Sequence, residues 1–156
     1  MKENLAVRKV NKSDVRRIWE IRNTPEARHF SNSPEEISFS KHNAWFKKRY
    51  FLGENNHCFV LEDTTAGGVI GYCRFDFDED EKGYTLSVAL DPVFHGRGLG
   101  GLLLKESLAK FSGTKLLLAE IQKNNTPSLK IFQKNGFAVF KEDDKNYYLR
   151  NEIEND

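Results

Sequence analysis

Cysteine is scarce. The two present, Cys58 and Cys73, stand in separate strand-like runs with no C-x-x-C or histidine spacing nearby. Neither a disulfide scaffold nor a metal site is expected, and both read as buried, reduced thiols. An excess of one charge is also missing: 24 Lys and Arg face 23 Asp and Glu. No global field attracts nucleic acid or anionic lipid, and no basic patch interleaved with aromatics replaces it. No apolar run approaches the ~20 residues that span a bilayer. Met1-Lys2-Glu3-Asn4 leads into a strand pattern and not an apolar signal core, so a cytoplasmic chain is expected. Low complexity is limited to Asp76-Phe77-Asp78-Glu79-Asp80-Glu81, which reads as a solvated hairpin tip. The 156 residues suffice for one domain, 1–156, and are too few for two.

What is present centres on Asp91-Pro92-Val93-Phe94-His95-Gly96-Arg97-Gly98-Leu99-Gly100-Gly101. Tyr84 to Leu90 alternates as a strand before it, and Pro92, which has no N–H, stops that strand. After it, Leu99, Leu102, Leu103, Glu106, Lys110 and Phe111 fall on helical spacing, with Leu104 and Leu108 widening the apolar face. A glycine-rich turn at a helix start leaves several backbone N–H groups unpaired and aimed one way, which makes an anion cradle. Gly96, Gly98 and Gly100 can take positive φ and carry no Cβ, so a phosphate can approach the backbone closely, helped by Arg97 and the helix dipole.

The rest of the chain is organised around this stretch. Leu5 to Val10 reads as a first strand. Asn11 and Asp14 open a helix carrying Val15, Ile18, Trp19, Ile21 and Arg22, which ends near Asn23-Thr24-Pro25. Residues Pro25 to Phe39 read as an irregular loop over a site, and Ser40 as the cap of a second helix through Tyr50. His57 to Glu62 and Val69 to Phe77 form an antiparallel hairpin, which Lys82-Gly83 turns into the strand before the cradle. Lys115 to Ile121 is an apolar strand, Thr126 to Asn135 a helix with Gly136 at its end, and Phe137–Phe140 and Tyr147–Arg150 a closing pair. The order β-α-α-β-β-β-α-β-α-β-β predicts a mixed sheet with helices on both faces.

Gly96-x-Gly98-x-x-Gly101 also satisfies the dinucleotide fingerprint, with Glu120 near the place of its ribose-binding acid. It follows an antiparallel meander instead of opening a βαβ unit, and the 55 residues after Gly101 supply one further crossover. A P-loop lysine and its Ser/Thr are missing, which counts against nucleotide triphosphate hydrolysis.

The strand, the proline and His95-Gly96-Arg97-Gly98-Leu99-Gly100 resemble the acetyl-CoA loop of the GNAT N-acetyltransferases, whose pattern is Gln/Arg-x-x-Gly-x-Gly/Ala. His95 departs from the first position and leaves the glycines intact. Asn125, Ser128, Phe132, Gly136 and Phe137 resemble the family's Asn-x-x-Ala-x-x-x-Tyr-x-x-x-Gly-Phe segment. The resemblance implies an α/β (α+β) fold with a mixed, mostly antiparallel seven-stranded sheet and about four helices, and acetyl-CoA as co-substrate. It further implies that Val88, Ala89 and Leu90 hold the pantetheine arm where strands splay apart. The amides of Arg97, Gly98, Leu99, Gly100 and Gly101 would then hold the pyrophosphate, with His95 and Gly96 beside it. Asn125, Ser128 and Phe132 would line the cofactor's far side.

Acetyl transfer to an amine needs a neutral nucleophile, donors for the carbonyl oxygen and a proton for the departing thiolate. Glu120 is the expected base, at the end of the central strand and at the place of a general base in protein N-terminal members of the family. Phe132 stands where many members carry the acid tyrosine, so the acid is open among Tyr84, Tyr147, Tyr148 and water. Arg22-Asn23-Thr24-Pro25-Glu26-Ala27-Arg28, Ile37-Ser38 and His42-x-x-Trp45-Phe46 resemble the amino-sugar branch, whose members acetylate UDP-linked 4-amino-deoxysugars. That resemblance implies acceptor contacts from Arg22, Asn23 and Trp45. Arg22 and Arg28 suit a diphosphate, and Trp45, Phe46 or Phe30 a stacked ring. A protein, peptide or polyamine acetyltransferase and a non-catalytic acetyl-CoA-binding module are the alternatives. The expected partner is a small-molecule amine, without nucleic acid, membrane or metal, and the chain is a monomer or homodimer.

Overall fold

The computed structural model describes residues 4–112 and 116–152. Seven strands form one sheet in the order β1-β2-β3-β4-β5-β7-β6: β1 Leu5–Lys9, β2 His57–Asp63, β3 Gly68–Asp78, β4 Gly83–Leu90, β5 Leu116–Gln122, β6 Ala138–Glu142 and β7 Asn146–Glu152. Every neighbouring pair is antiparallel except β4 and β5. Lys115, the first residue of the expected fifth strand, lies outside the described residues. Five α-helices accompany the sheet where about four are expected: α1 Val15–Arg22, α2 Pro25–His29, α3 Phe39–Phe46, α4 Leu99–Lys110 and α5 Thr126–Lys134.

The fifth helix is α2, inside the stretch expected to be irregular. Thr24-Pro25 reads as a terminator, yet it is a start: the Thr24 hydroxyl accepts from the Ala27 N–H at 3.3 Å, and proline suits the first helical position. The next helix begins earlier than expected. Ser38, not Ser40, caps α3 by accepting from the Lys41 N–H at 3.2 Å, which frees Phe39 to pack edge-on against Trp19. At the other end of the cradle helix, α4 stops at Lys110, and extended Phe111 stacks on Phe75 at 4.3 Å.

Strand alternation divides the apolar residues between the two faces of the sheet. Phe59, Cys73, Phe75, Leu86, Leu117 and Leu149 meet Leu99, Leu103 and Leu104 of α4. On the other face Cys58, Val60 and Tyr72 meet Val15, Ile18 and Ile21 of α1 and Phe46 and Tyr50 beyond it. Both cysteines are free and buried, and burial pushes the Cys73 thiol up to about 12. The acidic run is only partly a hairpin tip: β3 reaches Asp78, and Asp76 sits within the strand at 17% side-chain exposure.

Candidate functional site

β4 and β5 run side by side only at Tyr84–Leu117 and Thr85–Leu118. Beyond that point Val88, Ala89 and Leu90 keep their β3 partners Cys73, Tyr72 and Gly71 and have no partner on β5. The sheet therefore opens into a V, leaving along β4 an edge that an extended ligand can pair with. Gly71 admits this geometry, since a Cβ there would lie 2.6 Å from the Ala89 carbonyl oxygen.

The glycine loop begins where that edge ends. Asp91 anchors its start. The Asp91 N–H donates to the Ile70 carbonyl at 2.8 Å, and its carboxylate accepts from Val93 N–H at 3.0 Å. Arg17 of α1 donates to the same carboxylate and, through Nε, to the Val69 carbonyl at 3.0 Å. This pairing holds the Asp91 carboxyl below its ordinary range. A 3-10 turn over Pro92–Phe94 follows, then Gly96 at φ +78° and Gly98 at φ +74°, and α4. No protein acceptor takes the backbone N–H of any residue from Gly96 to Gly101 among the described residues. Those free donors at the N-terminus of a twelve-residue helix are what a pyrophosphate needs, so the residues present fit acetyl-CoA.

Gly100 corrects the expectation for the third glycine. It is helical and buried, and an added Cβ would lie 2.9 Å from the Ile131 Cδ1 of α5, so its role is helix packing. Leu99 points into the core, while Gly101 faces open space. Arg97 is exposed over the Phe94 ring at 5.5 Å, and His95 Nε2 lies 3.3 Å from the Leu90 carbonyl oxygen. Asn125 caps α5 by accepting from the Ser128 N–H at 3.3 Å. Phe132 is 2% exposed and packs edge-on against Phe137, so its ring belongs to the core instead of lining an open surface.

Strand register decides what faces the opening from the α1–α3 side. Thr85 opposes Asp76, Ser87 opposes Arg74, and Glu120 opposes Tyr148. Glu120 is exposed; its carboxylate accepts from Asn32 Nδ2 at 3.0 Å and Asn146 Nδ2 at 3.3 Å. Gln122 holds the same loop through the Ser31 carbonyl at 3.1 Å. Of the three candidate tyrosines only Tyr148 shares the face of Glu120. Tyr84 and Tyr147 point to the α4 side, Tyr84 packing edge-on against Phe111. Tyr148 donates to Asp143 at 2.7 Å, which raises its pKa and keeps the phenol protonated.

Beside this face lies a cluster of side chains that sequence spacing could not assemble. The guanidinium carbons of Arg22, Arg74 and Arg49 lie 5.1, 5.4 and 5.7 Å from the Trp45 ring centroid. Asp76 accepts from the Tyr50 hydroxyl and from Arg49 at 3.5 Å. Arg74 donates to Ser87 Oγ at 3.3 Å. His42 is fully buried with Nδ1 3.4 Å from Arg22, and burial followed by the nearby Arg22 and Arg74 charges lowers its pKa to about 4. Arg49, Arg74, Asp76 and Asn32 were not singled out in sequence. The available signal was Arg74 and Asp76 continuing the register of buried Tyr72 on a sheet face that should be apolar.

Three acceptor expectations need revision here. Asn23 spends both ends of its amide on Ile37, donating to its carbonyl at 2.8 Å and accepting its N–H at 3.1 Å, so it pins the loop. Arg28 pairs with Glu36 at 3.7 Å, and Phe46 is core at 0% exposure. Arg22 and Trp45 remain half-buried at the face.

A family model described as an acetyltransferase (GNAT) domain matches residues 4–138. The chain is 26% identical over 143 residues to Acetyltransferase PseH of Campylobacter jejuni, covering 90% of this chain and 87% of that protein. It is 33% identical over 102 residues to L-amino acid N-acyltransferase MnaT of Escherichia coli, covering 62% of this chain and 57% of the relative. The solved structure of yncA from Salmonella typhimurium with its cofactor acetyl-CoA superposes with a TM-score of 0.82 at 24% identity, covering 99% of this chain and 96% of that one. With a V-shaped opening, a cradle of free amides and a family match over most of its length, the chain belongs to the GNAT N-acetyltransferases, with acetyl-CoA as co-substrate.

Proposed function

We propose that this acetyltransferase acts by direct attack of a primary amine held on the α1–α3 face, and that the amine belongs to a nucleotide-linked amino sugar. The observation that carries the reading is the position of Glu120, exposed on β5 at the opening whose other wall is the unpaired stretch of β4. Acetyl-CoA supplies an acyl group activated as a thioester. Glu120 takes the proton of the incoming ammonium, and an amine freed of that proton has the lone pair that attack requires. Asn32 and Asn146 orient the carboxylate through their amide donors. Free N–H groups of β4 near Leu90 supply donors where carbonyl charge builds. Tyr148 shares this face but gives its O–H to Asp143, so the departing thiolate takes its proton from water.

The amino-sugar acceptor draws support from the likeness to PseH over 90% of the chain and from Arg22 and Trp45, which suit a diphosphate and a ring. A free amino acid is the second reading, favoured by the likeness to MnaT over 62% of the chain. A polyamine suits this face poorly, because Arg22, Arg49 and Arg74 repel a second ammonium. CoA-thiol release with a UDP-4-amino-deoxysugar, amino acids, N-terminal peptides and polyamines tests the reading. Release with the sugar nucleotide alone supports it. Release with amino acids alone replaces it with the second reading, and release with peptides or polyamines alone refutes both.

A further inference from the structure

Arg22, Arg49 and Arg74 converge on Trp45, and among the described residues the carboxylate paired with them is Asp76 alone. Asp76 is already engaged: it accepts from the Tyr50 hydroxyl and from Arg49 at 3.5 Å, and Arg74 stands farther off at 3.8 Å. Arg22 has no carboxylate within ion-pair distance among the described residues. His42 adds no charge, since it is neutral at physiological pH. Tyr50 stays protonated, its pKa raised by burial. The cluster thus holds positive charge well beyond what Asp76 offsets, in a partly desolvated site where like charges are costly. Arg22 registers that cost: burial first, then Arg74, lowers its pKa.

One further atom is unspent. Arg74 Nε is buried with no hydrogen-bond partner. Buried donors without partners are rare in native structures and call for a ligand or an ordered water. If Arg74 served only to neutralise Asp76, its guanidinium would be closer to that carboxylate and its Nε engaged.

We infer that this cluster docks an anionic group carried by the acceptor itself, a carboxylate or a phosphate, held between Arg22 and Arg74. The inference rests on the acceptor binding to the α1–α3 face. Arg74 reaches β4 through Ser87, beside the unpaired edge. The α-carboxylate of an amino acid and the diphosphate of a 4-amino sugar nucleotide both offer an anion to this cluster, and a long polyamine offers none.

The test separates the anion from the identity of the acceptor. Initial rates are measured with paired acceptors that differ only in the anion: an amino acid against its amide, and a UDP-4-amino-deoxysugar against the free 4-amino-deoxysugar. In each pair that reacts, the anionic member is expected to have a kcat/KM about 10- to 100-fold higher, the scale of one or two charge-assisted hydrogen bonds. Arg74→Gln is expected to erase that preference through the KM of the anionic member while the KM for acetyl-CoA holds. Arg22→Gln makes the same test if Arg74→Gln fails to fold, because Arg74 pairs with Asp76 and Arg22 makes no ion pair among the described residues. A preference for the amino acid with no reaction of the sugar nucleotide refutes the amino-sugar reading and supports the anion site. Equal use of both members of every reacting pair refutes the anion site and leaves acetyl transfer standing. Independently of turnover, inorganic pyrophosphate or acetate is titrated into the protein saturated with CoA, which fills the glycine cradle. Calorimetric binding that Arg74→Gln abolishes supports the site, and no binding at millimolar concentration overturns it.

Discussion

The two halves of the site are built from different materials. On the cofactor side the groups that matter are backbone: the free edge of β4 and the N–H groups from Gly96 to Gly101, presented by two glycines at positive φ. On the proposed acceptor side they are side chains from separate elements, with Arg22 from α1, Trp45 from α3, Arg74 and Asp76 from β3 and Glu120 from β5. A backbone site tolerates changes of side chain and serves one constant ligand. A side-chain site can be rebuilt residue by residue, as a variable acceptor requires.

Glycine at the cradle offers the largest way to break that contrast. Gly98→Val meets no neighbour within 4 Å, so its damage comes from φ +74°, which a β-branched residue avoids. The chain is expected to fold and to lose measurable acetyl-CoA binding by calorimetry. Next in size, Glu120→Gln is expected to lower kcat by about 10²-fold or more without changing the dissociation constant for acetyl-CoA. An unchanged kcat would remove Glu120 from the mechanism.

A smaller effect sharpens the acceptor side through pH. His42 titrates at about 4 in the folded protein against 6.5 for an unperturbed ring, so the unfolded chain binds more protons between these values. Stability is complete above pH 6.5 and falls as pH drops toward 4, by an amount on the order of 3 kcal/mol. His42→Phe is expected to flatten that part of the urea-unfolding profile. The smallest effect is expected at the anchor of the loop. Arg17→Met frees Asp91 at the loop start and is expected to raise the KM for acetyl-CoA about 3- to 10-fold, the scale of one lost hydrogen bond, with kcat little changed and Arg17→Lys intermediate.

Strand order along the chain and the cradle were legible because each rests on neighbours in sequence: a proline that stops a strand, glycines that free φ, an alternation that buries one face. The same locality explains the misreadings. Thr24-Pro25 is as good a helix start as a stop, and Ser38 and Ser40 are chemically equivalent caps until Phe39 finds Trp19. Gly100 looks like its neighbours until Ile131 of another helix lies against it. Asn23 was a plausible ligand until the loop folded back and Ile37 took its amide.

By itself the sequence determined the strands, four of the five helices and the positive φ of Gly96 and Gly98, since torsional sterics act within a residue and its neighbours. Tertiary structure alone decided where β4 and β5 part, which tyrosine shares a face with Glu120, and that Arg22, Arg49 and Arg74 meet at one indole. Those relations depend on strand register and on contacts between residues tens of positions apart, where a shift of one residue turns every side chain to the opposite face.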